Sequence, residues 1–157
     1  MLLWNILIAV VWCWLQGNFS TANMIGGFVL GYIVLLILTR QGLTDKSRYV
    51  ARFPKAIGLF FYFIKELFIA NIRIAWELLT PGLSIKPAII AMPLDAKTDA
   101  EISVLASLIT LTPGTLSMEV SEDKSTLFIH AIYCDDEEAL IQELKQGFER
   151  KVLEVLR

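Results

Sequence analysis

The sequence predicts an α+β membrane protein in two parts: an N-terminal transmembrane helical hairpin with an amphipathic or third membrane helix, then a small soluble domain in β-α-β-β-α order. Three observations carry this reading. Residues 1–39 contain no Asp, Glu, Lys, Arg or His, and Arg40 is the first formal charge. An apolar helix crosses a bilayer with about 20 residues, so this stretch is too long for one span and fits two joined back to back. Charge is then divided unevenly: up to Leu94 there are eight Lys/Arg and three Asp/Glu, and from Asp95 six Lys/Arg and thirteen Asp/Glu. Last, the apolar pattern changes after residue 80 from a helical period to short alternating runs. The predicted division is a membrane domain over residues 1–80, with helices at 2–15, 22–39 and 55–80, and a soluble domain over 83–157.

The first two helices are separated by a small, polar turn at residues 16–23. Asn18-Phe19-Ser20 within it matches a glycosylation sequon, but a tight turn against the membrane is a poor acceptor. The second helix carries Gly26, Gly27 and Gly31, and the spacing of Gly27 and Gly31 lets another helix approach closely. Trp4, Trp12, Trp14 and Tyr32 are candidates for interfacial anchors or packing residues. A secretory signal peptide would need a basic n-region and a small-residue cleavage site, and neither is present. Arg40, Lys46, Arg48, Arg52 and Lys55 against the single acid Asp45 make the loop over 40–55 cytoplasmic by the positive-inside rule, with the N-terminus on the same side.

Phe53-Pro54 opens the third segment, in which Tyr62, Glu66, Arg73, Glu77 and Thr80 form a polar stripe opposite a broad apolar face. Such a helix either crosses the membrane, with Glu66–Arg73 or Arg73–Glu77 pairing its charges, or lies at the cytoplasmic interface or obliquely on partner helices. The interfacial or oblique placement is the preferred one. Lys65, Glu66, Asn71 and Arg73 are its candidate polar contacts. Thr80-Pro81-Gly82 ends it. Residues 83–94, with Pro87 and Pro93, read as an edge or bulged strand.

Thr98-Asp99-Ala100-Glu101 reads as a capping box opening a helix whose Ile102, Leu105, Ala106 and Ile109 share one face. Residues 115–120 alternate, with Leu116, Met118 and Val120 on one side and Thr115, Ser117 and Glu119 on the other. A turn at 122–125 leads to a second strand over 126–133, and Asp135 with Glu138 starts a final helix with Leu140, Ile141, Leu144, Phe148 and Val152 on its buried stripe. That sequence of elements is ferredoxin-like order without the last strand.

No catalytic, cofactor-binding or metal-binding residue is predicted. His130, Cys134 and the acids at 135–137 could be drawn as a metal site, but structural zinc wants four ligands with paired spacing. The acidic run is explained by the first turn of the last helix. Cys13 and Cys134 fall in different parts of the chain and read as free thiols, in keeping with a reducing side for the soluble part. No nucleophile–base pairing, glycine-rich phosphate loop or nucleic-acid footprint occurs. The helix-to-strand corner at 109–115 is the conspicuous segment of the soluble part. Pro113 stops the helix, Gly114 turns the backbone, and Thr110, Thr112 and Thr115 supply hydroxyls for exposed backbone groups.

Several of these segments together resemble the E subunit of the Mrp-type multisubunit cation/proton antiporters. They are the charge-free hairpin with Asn18-Phe19-Ser20 in its turn, the glycine-rich second run, Ile64-Lys65-Glu66-Leu67 with Ala70-Asn71-Ile72, the threonine-proline-glycine corner, and Leu127-Phe128-Ile129-His130-Ala131. Ser107 departs from the family, which often carries Asn there. The resemblance covers almost the whole chain. It implies a bacterial or archaeal inner-membrane complex that exchanges Na+ or another monovalent cation for H+, with partner membrane subunits carrying the ion pathways. The chain itself is then an accessory subunit with no cofactor, no nucleic acid and no small-molecule substrate of its own. An autonomous transporter would need more helices and a midplane site. A membrane-anchored binding or sensor module is the alternative from another class.

Overall fold

The structure, a computed structural model, describes residues 1–41, 48–80 and 85–157. Residues 42–47 of the basic loop, the Pro81-Gly82 stop and the first residues of the predicted strand, 83–84, lie outside them. The chain forms two compact units, Met1–Pro54 and Lys55–Arg157.

In the first unit α1 (Leu2–Leu15) and α2 (Thr21–Arg40) form a hairpin. Gly17 has φ +62° and lets the amides of Gly17 and Asn18 bond the carbonyls of Trp14 (3.0 Å) and Cys13 (3.2 Å), a paired closure of the helix end that a left-handed residue makes possible. Ser20 then caps α2 by accepting from the Asn23 amide, so the serine of the sequon is a helix cap. Only α2 among the described helices is long and apolar enough to cross a membrane; α1 is apolar but shorter.

α3 (Arg48–Leu79) begins seven residues before the predicted start at 55 and carries Pro54 inside it. Proline has no N–H to give the carbonyl four residues back, that of Val50. The Tyr32 hydroxyl donates to that carbonyl at 3.0 Å, and Phe53 stacks on Tyr32 with ring centroids 4.9 Å apart. The loss that makes proline a helix breaker is thus made good by a side chain from α2.

In the second unit β1 (Ala88–Pro93), β2 (Thr115–Val120) and β3 (Thr126–Ala131) form an antiparallel sheet in the order β1-β3-β2. Pro87 and Pro93 bracket β1 at the sheet edge, where a missing N–H is tolerated. α4 (Asp99–Leu111) opens on the capping box of Thr98 and Glu101. One face of the sheet packs on the helices through Ile90, Met92, Leu127 and Ile129 against Leu105, Ile109, Leu144 and Phe148. Each such side chain, fully buried, contributes on the order of 2 kcal/mol.

Two predicted details differ. The alternation of β2 is broken by a bulge between Ser117 and Glu119, so Val120 is partly buried while Leu116 and Met118 stay exposed. The last helix is capped by Asp136, not Asp135, and is interrupted: α5 (Glu137–Leu144) passes through a π-turn over Lys145–Glu149 into α6 (Arg150–Leu156). The wide turn buries three consecutive residues, Gly147, Phe148 and Glu149. Tyr62 of α3 fills the space at Gly147, where a Cβ would lie 2.2 Å from its hydroxyl oxygen, and its ring meets Phe148 edge-on at 5.3 Å. Glu149 turns inward to accept the amides of Asp95 (2.7 Å) and Ala96 (3.0 Å), with Lys145 at 3.3 Å neutralising it.

Candidate functional site

The end of α4 must change from helix to strand within four residues, which leaves the last helical carbonyls without intrahelical donors. Threonines supply them. The Thr112 hydroxyl donates to Leu108 O (3.0 Å), and the Thr115 hydroxyl lies 2.7 Å from Ile109 O and 3.0 Å from Thr112 O. Gly114 takes φ +96°, which strains any residue with a Cβ, and its carbonyl accepts the Ile132 amide at 2.9 Å. Thr110 lies on a different side of the same corner, where its hydroxyl accepts the edge amide of Ser117 at 3.1 Å. The hydroxyl protons of Thr112 and Thr115 are spent on the helix end, so the corner offers few free donors.

Residues 112–115 form one wall of a cleft of about 430 Å³. Opposite them stand Tyr62, Glu66 and Arg73 of α3, with Tyr133 and Glu143 completing the polar lining. The Arg73 guanidinium lies over the Tyr133 ring, 5.0 Å from its centroid. Glu66 bonds Lys65 at 3.1 Å, in place of the Glu66–Arg73 pairing the sequence suggests. Lys65 is itself exposed, and Asn71 turns its amide back to Leu67 O at 2.7 Å, so neither lines the cleft.

The structure therefore brings together Thr112, Pro113, Gly114, Thr115, Glu66 and Arg73, while Thr110, Lys65 and Asn71 lie apart from the cleft. Gly27 and Gly31 belong to the hairpin. A Cβ on Gly27 would sit 2.9 Å from Ala9 Cα, and one on Gly31 2.2 Å from Asn5 Oδ1. These glycines face α1. Asn5 is fully buried there and donates to the Tyr49 hydroxyl at 2.9 Å. Among the described residues no group of three or more His, Cys, Asp or Glu could hold a metal ion. His130 pairs across the sheet with Ile89 and Leu116. Burial, with the carboxylates of Glu137, Asp136 and Asp135, pushes the Cys134 thiol up, away from the reactive thiolate.

Sequence reasoning does not single out Asn5, Tyr133, Gly147 or Glu149. An isolated glycine inside a helical pattern is the one available signal, at Gly147. The other three gain their roles from residues distant in the chain.

The family described as Na+/H+ ion antiporter subunit matches residues 5–155. The chain is 41% identical over 156 residues to the Na(+)/H(+) antiporter E subunit of Alkalihalophilus pseudofirmus, covering 99% of this chain and 98% of that one. It is 38% identical to the E subunit of the Bacillus subtilis Na(+)/H(+) antiporter, with the same coverage. Among solved structures, a chain of the Mrp complex from Dietzia sp. is similar with TM-score 0.51 and 27% identity over 66% of this chain and 98% of that chain. A chain of the archaeal membrane-bound sulfane sulfur reductase shares the fold, with TM-score 0.57 and 24% identity over 96% of this chain and 95% of that chain. By the extent of the match and these identities over nearly its full length, the chain belongs to the E-subunit family of Na+/H+ antiporters, a component of a membrane transporter.

Proposed function

We propose that this chain is an accessory subunit of a multisubunit monovalent cation/proton antiporter, supporting assembly, stability or regulation without forming the ion path. Its partners are the other membrane subunits. The observation that carries this is the hairpin: the described residues of α1 and α2 have no Asp, Glu, Lys, Arg or His before Arg40, and their contact is closed by backbone against glycine at Gly27. An ion path at membrane depth needs polar or ionisable groups lining it.

In this reading the hairpin crosses the cell membrane twice, with the chain before α3 and the C-terminal part on the cytoplasmic side. The basic residues between 40 and 55 support that orientation. The C-terminal part is a ferredoxin-like domain lacking its last strand, supported by the sheet order β1-β3-β2. The cleft joining the threonine-proline-glycine corner to Glu66 and Arg73 is a structural joint or a subunit contact, since its threonine hydroxyls are internally committed.

Affinity purification of the tagged chain from its native membrane tests the proposal. The expected result is a large complex with other membrane subunits that exchanges cations for protons in proteoliposomes, while the chain alone is inactive. Exchange by the chain alone, or its recovery as a lone protein holding a soluble ligand, would overturn it.

A further inference from the structure

α3 is a two-faced helix. On one side Leu59, Tyr62, Phe63, Glu66 and Ala70 recur at three- and four-residue spacing and are half-buried. They meet the α+β domain through the Tyr62–Phe148 edge contact, through Phe63 against the core and, a turn further on, through Arg73 over Tyr133. On the opposite side Phe60, Phe61, Ile64, Phe68, Ile72 and Trp76 remain 39–70% exposed. Lys65, towards one edge between Ile72 and Trp76, is the one charged residue on that face, and Asn71 lies towards the other edge between Phe60 and Ile64.

We infer that this face rests on the lipid bilayer, with α3 lying along the cytoplasmic interface as a plate that has lipid on one side and the α+β domain on the other. The inference rests on the reading of the hairpin as membrane-embedded. A third crossing is disfavoured by the docking itself. From Tyr62 to Arg73 the helix runs roughly 16 Å along its axis with the α+β domain against it, and Glu66, Glu143 and Lys151 lie around that contact. Spanning the membrane there would carry those charges into hydrocarbon, where each is costly.

Continuity with the membrane favours lipid over a protein partner. The first turns of the same helix already pack on α2, the helix able to cross a bilayer, through Phe28–Phe53 and Tyr32–Tyr49. The face also has the composition of an interfacial helix: aromatic and aliphatic, with Trp76 towards one end and Lys65 able to reach headgroups from near its edge.

Spin labels on single cysteines test this in the assembled complex, reconstituted in nanodiscs of phosphatidylethanolamine and phosphatidylglycerol, with Cys13→Ala and Cys134→Ala as background. Phe60→Cys, Ile64→Cys, Phe68→Cys and Ile72→Cys report depth along the face through relaxation by oxygen and by a water-soluble nickel complex. Val29→Cys, on the exposed side of α2, reports the hairpin. The expected result is four shallow, lipid-exposed positions within about 3 Å of one depth, and Val29 deep. A steady change of depth, approaching the roughly 18 Å that twelve residues of helix span, would overturn the inference in favour of a crossing. Shielding of all four from both reagents, with Val29 still deep, would overturn it in favour of a protein partner. A water-exposed Val29 would instead overturn the membrane reading of the hairpin, and this inference with it.

Discussion

Gly26 and Gly27 are neighbours in one helix, and the structure gives them opposite surroundings. A methyl group on Gly26 meets nothing within 4 Å. On Gly27 it would lie 2.9 Å from Ala9 Cα, 3.0 Å from Ala9 O and 3.1 Å from Trp12 Cβ. The first two are backbone atoms and cannot rotate aside. Carbon atoms prefer separations of about 3.5–4.0 Å, so α1 and α2 would have to part by roughly 0.6–1 Å at that point. Overpacking of this kind costs about 1–3 kcal/mol. Gly→Ala in a helix interior also returns up to about 1 kcal/mol through propensity, but that gain is common to both sites and cancels in the comparison. Gly27→Ala should therefore be less stable than Gly26→Ala by about 1–3 kcal/mol, on the order of a 5- to 150-fold difference in the unfolding equilibrium constant. Reversible unfolding of the purified chain in mixed micelles, titrated with dodecyl sulfate, measures both. Equal stabilities for the two variants would refute the close-packed hairpin.

Three further outcomes follow from particular contacts. Tyr32→Phe removes the donor that serves the Val50 carbonyl left open by Pro54, and should destabilise the first unit by about 1–3 kcal/mol, whereas Tyr32→Phe combined with Pro54→Ala should recover most of the loss; the same micelle titration reads both. Gly114→Val at φ +96° should cost about 1–3 kcal/mol and lower the yield of assembled complex, with Gly114→Asn milder and cation preference unchanged in both, as exchange per assembled complex with several cations would show. The Arg157 guanidinium, with the amides of Lys97 and Thr98, holds the Glu101 carboxyl down at about 2 from an ordinary 4.5. A carboxylate with a depressed pKa stabilises the fold fully above its unfolded value and loses that contribution as pH falls from 4.5 towards about 2. Glu101→Gln should thus lower the melting temperature at pH 7 and flatten its fall over that acid window.

The elements that were legible in the sequence are those fixed by local chemistry. The absence of charge marks α1 and α2, Gly17 and Ser20 mark the turn between them, and Thr98 with Glu101 opens α4. Pro113 and Gly114 mark the corner for the same reason: a helix stop and a left-handed turn are properties of single residues. What was not legible depends on distant partners. Pro54 reads as a helix start because the Tyr32 hydroxyl that rescues its helix comes from α2. The π-turn at Lys145–Glu149 is set by Tyr62 packing on Gly147, and no local pattern encodes it. Half of the cleft follows the same division. The threonine-proline-glycine wall stands out in sequence, whereas the meeting of Arg73 with Tyr133 needs the fold.

The accessory reading is tested most directly at Glu66 and Arg73, the charged α3 side chains that line the cleft. Complexes carrying Glu66→Gln or Arg73→Gln would be purified, quantified and reconstituted, and exchange per assembled complex measured against Na+ concentration and pH. An accessory role predicts that the Na+ and pH dependences per complex stay those of the parent protein, with any loss confined to the amount assembled. A shifted Na+ dependence or an altered cation-to-proton coupling in normally assembled complexes would place these side chains on the ion path and contradict it.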